Sequence, residues 1–219
     1  MQTAVITGGH GVLGKAIASA FTAPGWKVIS PSSQELDVTQ HSLVESYLVA
    51  TAPDLLIYCA GITCDRLLAR LAVETWDEVL EVNFKAARFC ARVCGQRMLK
   101  RNFGHIIFIS SFSALHPSLG QVAYATSKAA LLGLTLELAE EFGSRNIRVN
   151  AILPGFIDSP LTSHVSAKQR SKILSDHLLH RFNTPEAVGK FIHHLHHELP
   201  HTSGQIFQLD SRTRVGNFI

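Results

Sequence analysis

The stretch Ile106-Ile107-Phe108-Ile109 is apolar at every position. Side chains alternate between the two faces of a strand, so an unbroken apolar run needs cover on both sides. Strands covered twice belong in parallel sheets, where successive strands are joined by long crossovers, usually helices. The rest of the chain supplies that alternation. Short apolar runs at Thr3–Thr7, Trp26–Ser30, Leu55–Ala60, His105–Ser110, Arg148–Leu153 and Gln205–Leu209 read as strands. Helical patterns lie between them at Gly14–Thr22, His41–Thr51, Val73–Arg101, Tyr124–Phe142 and Pro185–His197, the third expected in two pieces. Right-handed crossovers then give an α/β fold, a doubly wound parallel sheet of Rossmann type. No repeat or linker interrupts the pattern, so residues 1–219 read as a single domain.

One connection breaks the rhythm. Only Pro31-Ser32-Ser33-Gln34-Glu35-Leu36 separates Ser30 from Asp37, too short for a crossover helix. Either a stub of a strand or an extended loop is expected there.

Composition narrows the function classes. Hydrophobic residues make up 46% of the chain and charged ones 17%, which excludes a disordered segment. A net charge of +3 is far from the dense basic stripe of a nucleic-acid binder. No apolar run is long enough to span a bilayer, and Met1–Ile6 enters a strand pattern without a basic leader region, so a soluble cytoplasmic protein is expected. Cys59, Cys64, Cys90 and Cys94 are expected as free thiols. Cys90 and Cys94 stand one helical turn apart, but no second pair follows at zinc-site spacing. His193 and His197 share a helix face, yet an outward-facing surface helix explains that run. No metal site is expected.

The first strand ends in Thr7-Gly8-Gly9-His10-Gly11-Val12-Leu13-Gly14, and a helix follows at once. Glycine permits a sharp turn and a close approach of phosphate to the main chain. A helix N-terminus offers unpaired N–H groups and partial positive charge. A strand–glycine turn–helix sequence therefore points to a nucleotide diphosphate.

A second constellation carries chemistry. Ser110-Ser111-Phe112-Ser113 ends the apolar strand, and Tyr124-Ala125-Thr126-Ser127-Lys128 follows. Tyr124 and Lys128 are four apart, so they share a helix face. Ser111 would stand at the carboxyl edge of the sheet, where open α/β folds bind ligands. Reduction of a carbonyl by hydride needs a proton for the developing alkoxide. A phenol can give it, a nearby ammonium can lower its pKa, and a serine hydroxyl can polarise the carbonyl.

These residues resemble the short-chain dehydrogenase/reductase family, and the resemblance runs from Thr3 to about Asp210. The glycine turn resembles Thr-Gly-x-x-x-Gly-x-Gly, with Val12 at the middle glycine and Gly11 one position early. Tyr58-Cys59-Ala60-Gly61 resembles Asn-Asn-Ala-Gly, with Tyr58 and Cys59 in place of the asparagines. Trp76–Asn83 resembles the segment carrying a fourth catalytic residue, and Arg148–Pro160 the stretch that meets the nicotinamide. Pro185-Glu186-Ala187-Val188 and Ser203-Gly204-Gln205 also match. The resemblance implies Tyr124 as catalytic acid, Ser111 as carbonyl-orienting donor and Lys128 as ribose ligand and tuner of Tyr124. It gives Asn83 the role of holding a relay water behind Lys128. It implies cofactor contacts from Thr7, Gly8, Gly9, His10, Gly11, Val12, Leu13 and Gly14, and from Ser30, Asp37, Val38, Ala60 and Gly61. Pro154, Gly155, the Ile157 backbone and the Ser159 hydroxyl would complete the cofactor site with Tyr124 and Lys128.

The implied activity is reduction of a carbonyl by a nicotinamide cofactor. Ser30-Pro31-Ser32-Ser33 offers no acid for a ribose 2′-hydroxyl and leaves room for a 2′-phosphate near His10 or Lys15. NADPH is therefore favoured over NAD. Phe156–Leu179 is expected as a polar, loop-like lid, with Phe112, Leu115, His116 and Phe156 lining an apolar pocket. The pattern is closest to 3-oxoacyl-carrier-protein reductases, which implies a small or carrier-bound carbonyl substrate, possible docking of an acyl-carrier protein, and a dimer or tetramer. Arg88, Arg92, Arg97, Lys100 and Arg101 form either that dock or, as slightly preferred, a solvated face. The alternative is a silent nucleotide-sensing protein on the same fold, which would have broken catalytic residues. An epimerase or dehydratase would need a larger C-terminal domain.

Overall fold

Six strands pair side by side, all parallel, in the order β2-β1-β3-β4-β5-β6. They are β1 (Gln2–Thr7), β2 (Trp26–Ile29), β3 (Leu55–Tyr58), β4 (Gly104–Ile109), β5 (Ile147–Leu153) and β6 (Ile206–Gln208). This computed structural model describes residues 1–212; the last seven positions of the expected 1–219 domain lie outside the described residues.

The unbroken apolar runs are explained by two cores. Val5, Leu56, Tyr58, Ile106 and Phe108 point to one face, under α2 (His41–Thr51), α4 (Ala86–Arg101) and α5 (Val122–Gly143). Their chain neighbours Ala4, Ile6, Leu55, Ile57, Ile107 and Ile109 point to the other, under α1 (Val12–Ala20) and α7 (Pro185–His197). Because every strand runs the same way, their carboxyl ends and the loops beyond them gather at one edge.

The short connection after β2 is a loop with no strand among its residues, which leaves β2 as the sheet edge. The long pattern at Val73–Arg101 breaks into α3 (Val73–Leu80), a π-helical turn over Glu81–Lys85, and α4. Two expectations need correcting. The Phe156–Leu179 segment holds a short helix, α6 (Ala167–Ser175), opened by a reciprocal cap between Ser166 and Gln169. And α7 faces outward on one side only: it packs along α1 with Val188, Ile192, Leu195 and His196 buried, while Glu186, Lys190, His194 and His197 are exposed.

Candidate active site

The glycine turn is built by close packing. Thr7 is buried, and its Oγ1 accepts from the backbone N–H groups of Cys59 (3.1 Å) and Ala60 (3.2 Å), tying β1 to the end of β3. Gly8 has φ +65°, and a Cβ there would lie 2.9 Å from the Ala60 Cα. A Cβ on Gly9 would lie 2.4 Å from the Ser30 carbonyl oxygen, and one on Gly14 2.4 Å from that of Gly8. Gly9 N–H donates to the Pro31 carbonyl (3.0 Å) and Gly11 N–H to that of Gly8 (3.0 Å). Gly11 then caps α1 with no side chain bonded to the first N–H groups and no acid in the first turn. An uncapped N-terminus beside glycines with no room for a Cβ fits the diphosphate of a dinucleotide. Val12, at the position where the family signature carries glycine, is largely exposed, while Leu13 packs into the α1–α7 core.

The loop after β2 returns an acid to this turn. The Ser32 N–H donates to Glu35 Oε2 (2.8 Å) and the Glu35 N–H to Ser32 Oγ (3.3 Å). These bonds hold the carboxyl below its usual range and set it 3.9 Å from His10 Nε2. Inspection of Ser30–Ser33 alone missed Glu35; the Ser-x-x-Glu spacing was the available signal. Asp37 accepts from the Thr39 N–H and hydroxyl and from Gln40 Nε2, which shapes the entry to α2 and lowers its pKa, while Val38 is buried in the core.

Four side chains meet at the carboxyl edge. Ser111 follows β4, and its Oγ accepts from the Ser113 N–H (3.1 Å). Tyr124 and Lys128 rise from the first turns of α5. Lys128 Nζ donates to the Ile109 carbonyl (2.9 Å) and lies 5.8 Å from the centre of the Tyr124 ring. Asn83, fully buried in the π-helical turn, accepts from the Ile62 N–H (2.8 Å) and donates to the Ile62 carbonyl (2.9 Å) and Ser127 Oγ (2.9 Å). Ser127 in turn donates to the carbonyl of Tyr124 (2.7 Å). Gly61 joins them: a Cβ there would meet Lys128 Nζ at 3.2 Å and Asn83 Oδ1 at 3.3 Å. Burial pushes the Tyr124 phenol up, and the Ser111 hydroxyl beside it pulls the other way. Burial also drives Lys128 down to about 8. Cys59, close to both, is pushed up to about 11 by burial and stays a thiol.

Sequence reading also missed a polar clasp across the mouth. Gln121 Oε1 accepts from Ser113 Oγ (2.9 Å), and Gln121 Nε2 donates to Asp65 Oδ2 (3.2 Å). His164, from the lid, meets the same Asp65 oxygen at 3.0 Å. Three loops are thereby joined beside Ser111.

The β5 exit is equally fixed. The Pro154 carbonyl accepts from Asn183 Nδ2 (2.8 Å), and Gly155, at φ +87°, leaves no room for a Cβ beside Asp210. Thr162 Oγ1 donates to the Ile157 carbonyl (2.9 Å) and accepts from the Ser159 N–H (3.0 Å). Of the expected pocket residues, Phe112 carries the Arg212 guanidinium 3.6 Å above its ring and His116 at 4.6 Å, and Leu115 is half exposed. Phe156 is buried, with its ring 4.6 Å from that of Phe182. Within the basic face, Arg97 and Arg101 are spent on carbonyls of Val49, Ala52 and Pro53. Among the described residues, no cluster of three or more His, Cys, Asp or Glu is placed to hold a metal, and no helix is long and apolar enough to cross a membrane.

The family model described as short chain dehydrogenase matches residues 37–170. The 3-oxoacyl-(acyl-carrier-protein) reductase FabG of Aquifex aeolicus is 33% identical over 216 residues, covering 95% of this chain and 86% of that protein. FabG of Escherichia coli is 34% identical over 197 residues, covering 80% and 81%. FabG of Thermotoga maritima is 40% identical over 158 residues, covering 72% of this chain and 64% of that relative. The crystal structure of gox2181 superposes with a TM-score of 0.90 at 24% identity, covering 96% of this chain and 94% of that one, a likeness of fold.

Proposed function

This chain belongs to the short-chain dehydrogenase family of NAD(P)-dependent oxidoreductases, and on that premise we propose that it reduces the ketone of a 3-oxoacyl thioester to an alcohol. The relatives named above act on carrier-bound 3-oxoacyl groups, which supports a substrate presented on an acyl-carrier protein. The observation that supports the reading most is the meeting of Ser111, Tyr124 and Lys128 at the carboxyl edge of the sheet, with Asn83 behind them.

A bound nicotinamide dinucleotide supplies the hydride. The N-terminus of α1 and the Gly8–Gly14 turn would hold its diphosphate, Lys128 its ribose, and the Pro154–Ser159 exit its carboxamide. Ser111 donates a hydrogen bond to the substrate carbonyl and polarises it. Tyr124 then delivers its proton to the same oxygen as charge develops there. Burial keeps that phenol protonated until the reaction calls for it. Lys128 is an ammonium at neutral pH and favours the phenolate left behind. NADPH is the favoured form, since Ser30–Ser33 offers no acid to a 2′-phosphate, although Glu35 beside His10 would count against it.

The test follows NADPH consumption with an acetoacetyl thioester. Tyr124→Phe is expected to cut turnover by roughly 10²-fold or more while fluorescence titration shows NADPH still bound. Wild-type protein that binds NADPH but turns over no ketone, aldehyde or 3-oxoacyl thioester would overturn the proposal in favour of nucleotide sensing.

A further inference from the structure

The π-helical turn before α4 has a defined cost in hydrogen bonds. In an α-helix the Ala86 N–H would bond the carbonyl of Val82, four residues back. Here it bonds the carbonyl of Glu81 instead. Val82 thus loses its α-helical donor at the point where the turn swings Asn83 inward. A phenol replaces that donor: the Tyr58 hydroxyl donates to the Val82 carbonyl at 2.5 Å.

Tyr58 is suited to this alone. It ends β3, pairs with Thr7 on one side and Phe108 on the other, and is fully buried among the helices' apolar side chains. No other hydrogen bond of its hydroxyl is found among the described residues. Burial holds the phenol far from ionisation, so it is a permanent donor. It occupies a position where the family resemblance carries asparagine, a side chain about half as long.

We propose that Tyr58 is a positioning residue, whose hydroxyl pins the π-helical turn and so holds Asn83 against Ile62 and Ser127. Without that bond, the turn can relax to an α-helix, which changes the register by one residue. Asn83 would then swing by about 100° around the helix axis and leave the Ile62 loop and Ser127. Ser127 bonds the carbonyl of Tyr124, so three hydrogen bonds, through Val82–Asn83 and Ser127, link the Tyr58 hydroxyl to the residue proposed as catalytic acid.

This inference rests on the reductase reading only for its kinetic consequence. Tyr58→Phe removes one oxygen and keeps the ring. Hydrogen exchange should show faster exchange over residues 80–88, with β4 and α7 unchanged. With an acetoacetyl thioester, kcat should fall about tenfold, with the KM for NADPH within about twofold. Wild-type protection of residues 80–88 in the variant, or faster exchange there with full kcat, would overturn the proposal. If wild-type protein reduces no carbonyl, the reductase reading fails, and the exchange comparison still decides whether Tyr58 pins the turn. If the variant does not fold, the wild-type protein answers by NMR: a slowly exchanging Tyr58 hydroxyl proton supports the bond, and a freely exchanging one overturns it.

Discussion

On the proposed mechanism, Lys128 sets a pH limit on the chemistry at Tyr124. Its ammonium is nearly enclosed, and burial brings it down from 10.5 to about 8. Below that pH the charge is present and, on the proposed mechanism, would stabilise the phenolate left when Tyr124 gives up its proton. Above it the charge is lost, while the phenol itself has been pushed up and is still protonated. Reduction should therefore run at a plateau near neutrality and fall as pH rises through about 8, roughly tenfold per unit once Lys128 is neutral. A profile of kcat/KM between pH 6 and pH 10 checks this on the unliganded enzyme, and a flat profile would remove the Lys128 charge from the mechanism. The placement of Ser111 at a strand end and of Tyr124 and Lys128 on one helix face was legible from local spacing, while the roles proposed for them came only with the family resemblance. Tyr58, Asp65 and Ser127 were not legible. Each acts through hydrogen bonding to a residue at least 20 positions away, and no periodicity encodes that.

At the scale of elements, the segments that escaped the sequence are those without an apolar stripe. The α6 sequence Ala-Lys-Gln-Arg-Ser-Lys-Ile-Leu-Ser is mostly polar, so its cap was the one local sign of a helix. The inner face of α7 was overlooked for the opposite reason: four histidines and one lysine hide an apolar stripe at Val188, Ile192 and Leu195. The truncated loop after β2 was readable as too short, but not where it would put Glu35. Its carboxylate now stands beside His10 at the edge of the glycine turn, where it would oppose a 2′-phosphate and suit a 2′-hydroxyl of a bound dinucleotide. Glu35→Gln should strengthen NADPH binding relative to NADH by roughly three- to tenfold, the modest effect of one exposed charge. Fluorescence titration with both nucleotides reads the ratio directly. An unchanged ratio would place the 2′ position away from Glu35 and leave selectivity to other residues.

Across the whole molecule, the two ends of the sheet are built for different tasks. The carboxyl edge gathers the reactive groups, and the opposite edge locks α7 to the strands through a directed chain of hydrogen bonds. Asn150 Oδ1 accepts from the Gln205 N–H, so its amide nitrogen donates to the Thr202 carbonyl and to His105 Nε2 (3.0 Å). His105 must then carry its proton on Nδ1 and give it to His196 Nδ1 (3.2 Å). Both rings are neutral by construction, and Arg148, which donates to three carbonyls at the end of α7, discourages a second proton on either. Burial holds His105 well below 6.5 and brings His196 to about 3. The unfolded chain has no such restraint and takes up these protons as pH drops through 6.5. Their contribution to stability is thus complete above that pH and is lost below it, by up to about 1.4 kcal/mol per unit for each ring. Urea unfolding at pH 7.5 and pH 5.5 should show that loss. His105→Gln keeps an acceptor for Asn150 and a donor for His196 but cannot titrate, so its stability should fall less steeply between the two pH values. Equal falls in both proteins would mean that acid sensitivity arises from the carboxylates and that the histidine seam tolerates a proton.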